Sequence, residues 1–224
     1  MKKEIKGVLF DLDGTLIDTV GDITYSFNAL LKELNIKQID KEETKKYVGR
    51  GLANAIRALL KDKNYNYEES EFDSLLKVIT ETYATHPYES SSVYSGNIEF
   101  VQKCLDNNVK VGVLSNKDDN LTKIIINYFF PDIPFTMIQG YSKEFLAKPD
   151  PNQLIRFSKL CNCDVSEVLL IGDSDVDWQT AVNGKSQKAI LTWGFKTKEQ
   201  LIELGCEPLY DTITELEKEL FKWN

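Results

Sequence analysis

The pattern of apolar and polar positions divides the chain into three stretches. Residues 7–10, Gly-Val-Leu-Phe, form a short apolar run between polar neighbours. This predicts a buried β-strand, because the run is too short for a helix. From about residue 18 to residue 87 the apolar positions recur at helical spacing, without a strand pattern. From residue 97 onward, helical and strand patterns alternate.

The alternating stretch predicts the fold class. Apolar runs at 110–114, 135–139, 168–171 and 189–191 predict strands, and helical patterns occupy 97–107, 120–129, 151–160, 175–183, 198–204 and 212–222. Such alternation is typical of a mostly parallel sheet covered by helices on both faces. We therefore predict an α/β protein with a doubly wound, Rossmann-like sheet. Residues 1–17 and 88–224 form its core, and residues 18–87 form a helical cap inserted after the first strand.

Composition and charge narrow the class of partner. The chain has 224 residues, 42% of them hydrophobic, which is enough for an apolar core. Its net charge of −8 disfavours non-specific binding to nucleic acid or to anionic membranes. It has neither a secretory signal pattern nor an apolar stretch near the roughly 20 residues needed to span a bilayer. The four cysteines form no disulfide framework. We expect a cytoplasmic monomer or homodimer that acts on a small molecule.

The strongest chemical signal follows the first strand. Two carboxylates, Asp11 and Asp13, lie where open α/β sheets bind ligands. One ionised carboxylate could attack a phosphoryl group, and the other could protonate the leaving oxygen and then activate water. Mg²⁺ held by carboxylates would offset the repulsion between the nucleophile and the phosphate. Taken alone, the motif also fits an acidic turn after a core strand.

Three later strands are also predicted to end in polar groups that suit phosphate chemistry. The Ser115 hydroxyl and the Asn116 backbone N–H can donate to a phosphate oxygen. Lys148, on a loop stiffened by prolines, can neutralise both the nucleophile and the phosphoryl group. Asp173 fits a metal ligand, and Asp177 fits a group that orients Lys148 or a metal-bound water. Each feature has an ordinary explanation as a turn, a solvated lysine or a helix cap, but their combination is far more specific.

Together these motifs resemble those of the haloacid dehalogenase-type superfamily of aspartate-dependent phosphohydrolases. The matching segments are residues 10–16, 114–116, 148–149 and 172–177. The resemblance implies that Asp11 is the nucleophile and Asp13 the acid/base. It also implies that Asp11, Asp173 and the Asp13 backbone carbonyl bind Mg²⁺. Ser115 and Lys148 would grip the phosphoryl group.

Within the superfamily, the chain looks most like the phosphoglycolate phosphatases. This likeness rests on residues 47–51, Tyr-Val-Gly-Arg-Gly, and residues 191–195, Leu-Thr-Trp-Gly-Phe. By the resemblance, the first loop would dip over the site, where Arg50 could pair with a substrate carboxylate; a surface arginine is the alternative. Gly14, Thr15 and Asn116 are further predicted substrate-binding positions. The implied activity is Mg²⁺-dependent hydrolysis of a small phosphorylated metabolite, similar to phosphoglycolate, through an aspartyl-phosphate.

Other activities of the same fold stay open at this point. A helical cap with one arginine on its loop is also compatible with a nucleotidase, a pyrophosphatase or a sugar-phosphate enzyme. Sugar-phosphate mutases usually carry a histidine shortly after the first motif, and residues 18–24 contain none. Dehalogenases of the superfamily lack the second aspartate, which is present here as Asp13. The alternative that is not an enzyme is an inactive binding or regulatory homologue.

Overall fold

A computed structural model describes residues 3–220 of the chain. Eight strands are found in this range: β1 (Gly7–Phe10), β2 (Ile17–Asp18), β3 (Ser92–Val93), β4 (Lys110–Asp118), β5 (Met137–Tyr141), β6 (Val168–Gly172), β7 (Gln187–Leu191) and β8 (Leu209–Tyr210). Six of them form one sheet in the order β5-β4-β1-β6-β7-β8, and every pairing within it is parallel. The two short strands β2 and β3 pair with each other in antiparallel orientation. The predicted α/β fold is confirmed.

The order of the strands creates a ligand-binding position above β1. The first strand lies between β4 and β6, so the chain moves to one side of β1 for β4 and β5 and then crosses back for β6. Open α/β sheets bind ligands at such a reversal, outside the carboxyl ends of the strands. The ends of β1, β4 and β6 therefore meet at the same edge of the sheet.

The ten helices in the described range include all those predicted from the periodicity. They are α1 (Val20–Glu33), α2 (Lys41–Lys45), α3 (Leu52–Asp62), α4 (Glu69–Thr85), α5 (Asn97–Asp106), α6 (Asp119–Phe129), α7 (Asn152–Leu160), α8 (Asp175–Gly184), α9 (Lys198–Glu203) and α10 (Ile213–Leu220). The last two residues predicted for α10, 221 and 222, lie outside the described residues. Helix α2 is an addition, because its sequence Lys-Glu-Glu-Thr-Lys has no apolar periodicity and buries only Thr44.

The apolar core lies on both faces of the sheet. Along β1 the side chains alternate, so that Val8 and Phe10 join one buried cluster while Leu9 joins another. The first cluster continues into the helices before β3 through fully buried side chains such as Phe27 and Leu59. The strands around the site are therefore fixed by packing from both sides.

The stretch between β2 and β3 is helical, as the periodicity predicts. It contains α1 to α4 and no strand. Only its boundary differs from the prediction, because Asp18 belongs to β2, which pairs with β3 where the chain returns to the sheet. The helices are thus joined to the rest of the protein at a two-stranded ribbon. Within residues 3–220, no helix has both the length and the apolar character needed to cross a bilayer.

Candidate active site

Side chains from three strand ends line one small cavity. Asp11 follows β1, Ser115 lies near the end of β4, and Asp173 follows β6; all three border a cavity of about 90 Å³. Their relative exposures are 8%, 4% and 2%, so each is largely withdrawn from bulk water. The convergence expected from a parallel sheet is therefore found.

Asp11 is held by its own backbone and by a lysine. Its backbone N–H donates to the carbonyl of Ile171 on β6 at 2.8 Å, which extends the pairing of β1 past its last residue. Its Oδ1 accepts from the Leu12 N–H at 2.7 Å and lies 2.8 Å from Lys148 Nζ. Burial and the nearby charge of Asp177 raise the pKa of Asp11 well above its usual value, while Lys148 opposes that shift.

Lys148 joins two carboxylates, those of Asp11 and Asp177, and does not itself line the cavity. Its Nζ lies 2.6 Å from Asp177 Oδ1, in addition to its contact with Asp11, and its side chain is 3% exposed. Asp177 Oδ2 accepts from the Ser174 hydroxyl at 2.5 Å. Burial lowers the pKa of Lys148, but the two carboxylates outweigh it and the pKa is raised. Lys148 is therefore a charged lysine in direct contact with Asp177, the residue predicted from the sequence to orient it.

The loop that carries Lys148 is fastened by Asn116. Asn116 Oδ1 accepts from the Lys148 N–H at 2.8 Å, and its Nδ2 donates to the Lys148 carbonyl at 3.0 Å. These two hydrogen bonds join β4 to the loop that carries Lys148. Asn116 was predicted to contact the substrate through its backbone, and its side chain has this additional structural task.

Asp173 is oriented through both carboxylate oxygens. Its Oδ1 accepts from the Thr15 hydroxyl at 3.0 Å, and its Oδ2 accepts from the Phe195 N–H at 2.8 Å. Burial, followed by the charge of Asp177, raises the pKa of Asp173 to about 7. Thr15, predicted to bind substrate, is thus engaged with a predicted metal ligand.

Two glycines make room for the Asp173 side chain. A Cβ atom built on Gly14 or on Gly194 would overlap the Asp173 carboxylate. Gly14 also has a φ of +81°, a conformation that favours glycine. The turn after β1 and the segment after β7 can therefore close around the same carboxylate.

The buried carboxylates fit a hard divalent cation. Oxygens of Asp11, Asp173 and Asp177 all lie within 4.8 Å of one another. These three acids are accompanied by one buried lysine, Lys148, so the cluster has an excess of negative charge that burial makes costly. Oxygen donors with an uncompensated negative charge are the ligand set that Mg²⁺ prefers.

Asp13 lies apart from that cluster and is paired with a lysine. Lys117 Nζ lies 2.9 Å and 3.0 Å from the two Asp13 carboxylate oxygens, and the Thr19 hydroxyl donates to Oδ1 at 2.6 Å. Burial would lower the pKa of Lys117, but the charge of Asp13 outweighs it and the pKa is raised. No role was predicted for Lys117 or Thr19 from the sequence. The signal for Lys117 was its position two residues after Ser115, at the same strand end.

The loop containing Arg50 contacts the core. Arg50 Nη2 lies 2.7 Å from Asp175 Oδ2, and the Gly49 carbonyl accepts from Asn116 Nδ2 at 3.3 Å. Lys196 also approaches Asp175, at 3.4 Å. Arg50 borders the cavity, and its side chain is 67% exposed. In this structure, the arginine proposed for a substrate carboxylate is paired with a carboxylate of the protein.

Several known proteins have sequences similar to this chain. A sequence profile of the haloacid dehalogenase-like hydrolase family matches residues 8–190. The phosphoglycolate phosphatase of Aquifex aeolicus is 27% identical over 188 residues, which cover 84% of this chain and 85% of that protein. The phosphoglycolate phosphatase of Mesorhizobium japonicum is 29% identical over 174 residues, 78% of this chain and 77% of that protein.

Solved structures agree on the fold. A candidate phosphoglycolate phosphatase from Lactobacillus delbrueckii subsp. bulgaricus gives a TM-score of 0.92 at 23% identity, covering 98% of this chain and all of that chain (100%). CbbY from Rhodobacter sphaeroides, solved in complex with phosphate, gives a TM-score of 0.79 at 17% identity, covering 95% and 96% of the two chains. With the family profile spanning most of the sequence, and with the four motifs meeting at one sheet edge, this chain belongs to the haloacid dehalogenase-like hydrolase family.

Proposed function

We propose that the protein is a Mg²⁺-dependent phosphatase that hydrolyses a small phosphorylated metabolite, similar to phosphoglycolate, through an aspartyl-phosphate on Asp11. The observation that carries the proposal is the meeting of Asp11 and Asp173 at one cavity, with Lys148 in contact with Asp11. The relatives named phosphoglycolate phosphatase support the class of substrate.

Asp11 is the proposed nucleophile. Among residues 3–220, two groups contact its carboxylate, the Leu12 N–H and Lys148, and both engage Oδ1, so we assign attack on phosphorus to Oδ2. Lys148 would stabilise the charge of the transferring phosphoryl group from its fixed position. Ser115 borders the same cavity and would donate its hydroxyl to a phosphoryl oxygen.

Asp13 is the proposed acid and base. In the first step it would give a proton to the leaving oxygen, and in the second it would take a proton from the water that attacks the phosphorylated Asp11. Asp13 borders the same cavity as Asp11, which supports this assignment. Its side chain is paired with Lys117 and does not belong to the cluster formed by Asp11, Asp173 and Asp177.

Asp11, Asp173 and the Asp13 backbone carbonyl are the proposed Mg²⁺ ligands, with Asp177 positioning Lys148. When bound, Mg²⁺ would neutralise the repulsion between the Asp11 carboxylate and the phosphate dianion. Two hydrogen bonds, from the Thr15 hydroxyl and from the Phe195 N–H, keep the Asp173 carboxylate oxygens in place.

We also propose that residues 18–87 act as a cap over a core made of residues 1–17 and 88–224. The helical segment is attached at the β2–β3 ribbon, and its loop around Arg50 borders the cavity. Such a cap would admit the ester, exclude bulk water during phosphoryl transfer and then admit one water.

The experiment that tests the proposal is a phosphate-release assay on a panel of esters. The panel contains phosphoglycolate, nucleoside monophosphates, sugar phosphates, pyrophosphate and p-nitrophenyl phosphate, each with Mg²⁺ and with EDTA. We expect Mg²⁺-dependent turnover, fastest on a small ester, and complete loss in Asp11→Asn. Asp132→Asn, the same change at an exposed position outside the cavity, is the matched control and should be fully active. Near-normal hydrolysis by Asp11→Asn would reject the mechanism.

A further inference from the structure

Lys117 is a buried cation at the cavity to which the proposed chemistry gives no task. Its side chain is 6% exposed, and its Nζ contacts both carboxylate oxygens of Asp13, at 2.9 Å and 3.0 Å. Its Nζ also lies 4.3 Å from the centre of the Tyr83 ring, within range of a cation–π interaction. Among residues 3–220, Asp13 is the sole carboxylate within ion-pair distance of Lys117.

These contacts connect three parts of the protein at one point. Asp13 lies in the turn after β1, and Lys117 lies in the irregular end of β4, where the register shifts between Leu114 and Asp118. Tyr83 comes from the last turns of α4, in the proposed cap, and is 3% exposed. The ammonium group therefore lies between the proposed acid/base and an aromatic ring of α4.

We propose that Lys117 is the positioning residue for Asp13: it holds both carboxylate oxygens in the orientation needed at the leaving group and at the hydrolytic water, and Tyr83 of α4 completes this grip when the cap covers the site. This inference rests on the proposed function, since it assigns a partner to the acid/base of that reaction.

The physical reason is the freedom of an aspartate side chain. An unrestrained carboxylate rotates about two bonds, and proton transfer needs its oxygen within hydrogen-bond distance of the reacting atom. A charge-assisted contact to both oxygens, in a site with little water, fixes the carboxylate plane. Thr19 alone, which contacts only Oδ1, would leave the second oxygen of Asp13 unrestrained.

The two chemical steps depend on Asp13 differently. In the first step, the bond from Asp11 oxygen to phosphorus forms, the ester P–O bond breaks, and a poor leaving oxygen takes the proton of a protonated Asp13, which becomes the carboxylate. In the second, the bond from water oxygen to phosphorus forms, the bond to Asp11 breaks, and a water proton goes to Asp13. With p-nitrophenyl phosphate the leaving p-nitrophenolate needs no proton, so only the second step depends on Asp13.

This difference gives a test that separates positioning from general damage. Lys117→Met removes the ammonium while keeping a long side chain, and rapid mixing with p-nitrophenyl phosphate and Mg²⁺ measures both steps. We expect the ratio of the burst rate to the steady-state rate to rise by about ten- to a hundredfold over the wild type, the cost of a displaced catalytic group. Phosphorylated Asp11 should accumulate in acid-quenched samples. Lys123→Met, an exposed lysine of α6 paired with Asp119, is the control and should match the wild type.

Several results would overturn the inference. If Lys117→Met slows both steps equally, or only lowers the burst amplitude, the lysine supports the fold and does not position Asp13. An unchanged ratio would also reject the positioning role. Should Lys117→Met fail to fold, Tyr83→Leu provides the second test. We expect a smaller rise in the ratio of the burst rate to the steady-state rate. Tyr83→Phe keeps the ring, so its ratio should lie closer to that of the wild type. An unchanged ratio in Tyr83→Leu would reject the contribution of α4.

The wild-type protein in the same experiment reports on the proposed function separately. If it releases p-nitrophenolate with Mg²⁺ and carries phosphate on Asp11, the proposed function stands whatever Lys117→Met does. If it releases none, the proposed function itself is rejected before the variant is considered.

Discussion

Three buried carboxylates, those of Asp11, Asp173 and Asp177, lie together, and one lysine, Lys148, contacts two of them. Burial, followed by the charge of Asp177, raises the pKa of both Asp11 and Asp173, and Lys148 offsets only part of that shift. A protein retains such a cluster only if other interactions stabilise it. A divalent cation is the simplest source of that stabilisation, and the residues around the cluster are fitted closely to its carboxylates.

Gly194→Ala tests whether the Asp173 side chain needs the space that Gly194 leaves free. Its added Cβ would overlap the Asp173 side chain, whose two oxygens are already held by hydrogen bonds. We expect the free energy of unfolding to fall by about 1–3 kcal/mol, as overpacking does. Mg²⁺ affinity should fall about ten- to a hundredfold, as when the support of a metal ligand is lost.

Gly7→Ala is the matched control for this prediction. Its Cβ would lie 3.0 Å from the Phe157 ring, so it also crowds the core, but far from the carboxylates. We expect a loss of stability without a change in the Mg²⁺ titration. Equal Mg²⁺ affinity in Gly194→Ala and Gly7→Ala would contradict the idea that Gly194 clears space for a metal ligand.

At the scale of elements, the loop between α2 and α3 reaches across to the start of α8. The Arg50–Asp175 pair joins them at 2.7 Å, and the Gly49–Asn116 hydrogen bond joins the same loop to β4. Because Arg50 is mostly exposed, this pair should add less than about 1 kcal/mol to stability. Its effect should therefore be on the balance between open and closed arrangements of the loop.

Arg50→Ala should raise KM for the best ester while changing the unfolding free energy by less than about 1 kcal/mol. High salt should raise the KM of the wild type by a similar amount, because salt screens an exposed ion pair. Asp175→Asn separates two roles of Arg50. If the arginine holds the loop closed, Asp175→Asn should raise KM as well; a lower KM would show that Asp175 competes with the substrate for Arg50.

At the scale of the whole molecule, the acidic cluster links folding to pH and to metal. The pKa of Asp173 is about 7 in the folded protein, against a usual value of 3.8, because of burial and Asp177. Between these values the native chain binds more protons than the unfolded chain. The free energy of unfolding should therefore fall as the pH rises, by at most about 1.4 kcal/mol per pH unit for one carboxyl group.

Urea unfolding in EDTA between about pH 4 and 7 measures this slope. Asp173→Asn should flatten it relative to the wild type and to the exposed control Asp132→Asn. Added Mg²⁺ should stabilise the wild type more near pH 7 than near pH 5, since the cation must displace a proton. The same slope in all three proteins would show that Asp173 does not set the pH dependence.

Much of the fold followed from local pattern. The apolar run of β1 is buried at every residue, and the stretch of helical periodicity after it contains α1, α3 and α4. The strands β2, β3 and β8 and the helix α2 were not predicted. Two-residue strands have no periodicity, and α2 buries a single threonine, so their existence depends on neighbours far along the chain.

The chemistry at the strand ends was determined by the sequence itself. Asp11 and Asp173 directly follow strands of one parallel sheet, Ser115 lies near the end of another, and Lys148 lies on the loop after a fourth. The carboxyl ends of such strands share an edge, so their meeting required no knowledge of side-chain geometry. What only the tertiary structure decided was the pairing among charged groups. Lys117 meets Asp13 across 104 residues, and Arg50 meets Asp175 across 125. Such pairings depend on where two distant elements place long side chains in space, and no local pattern in the sequence contains that information.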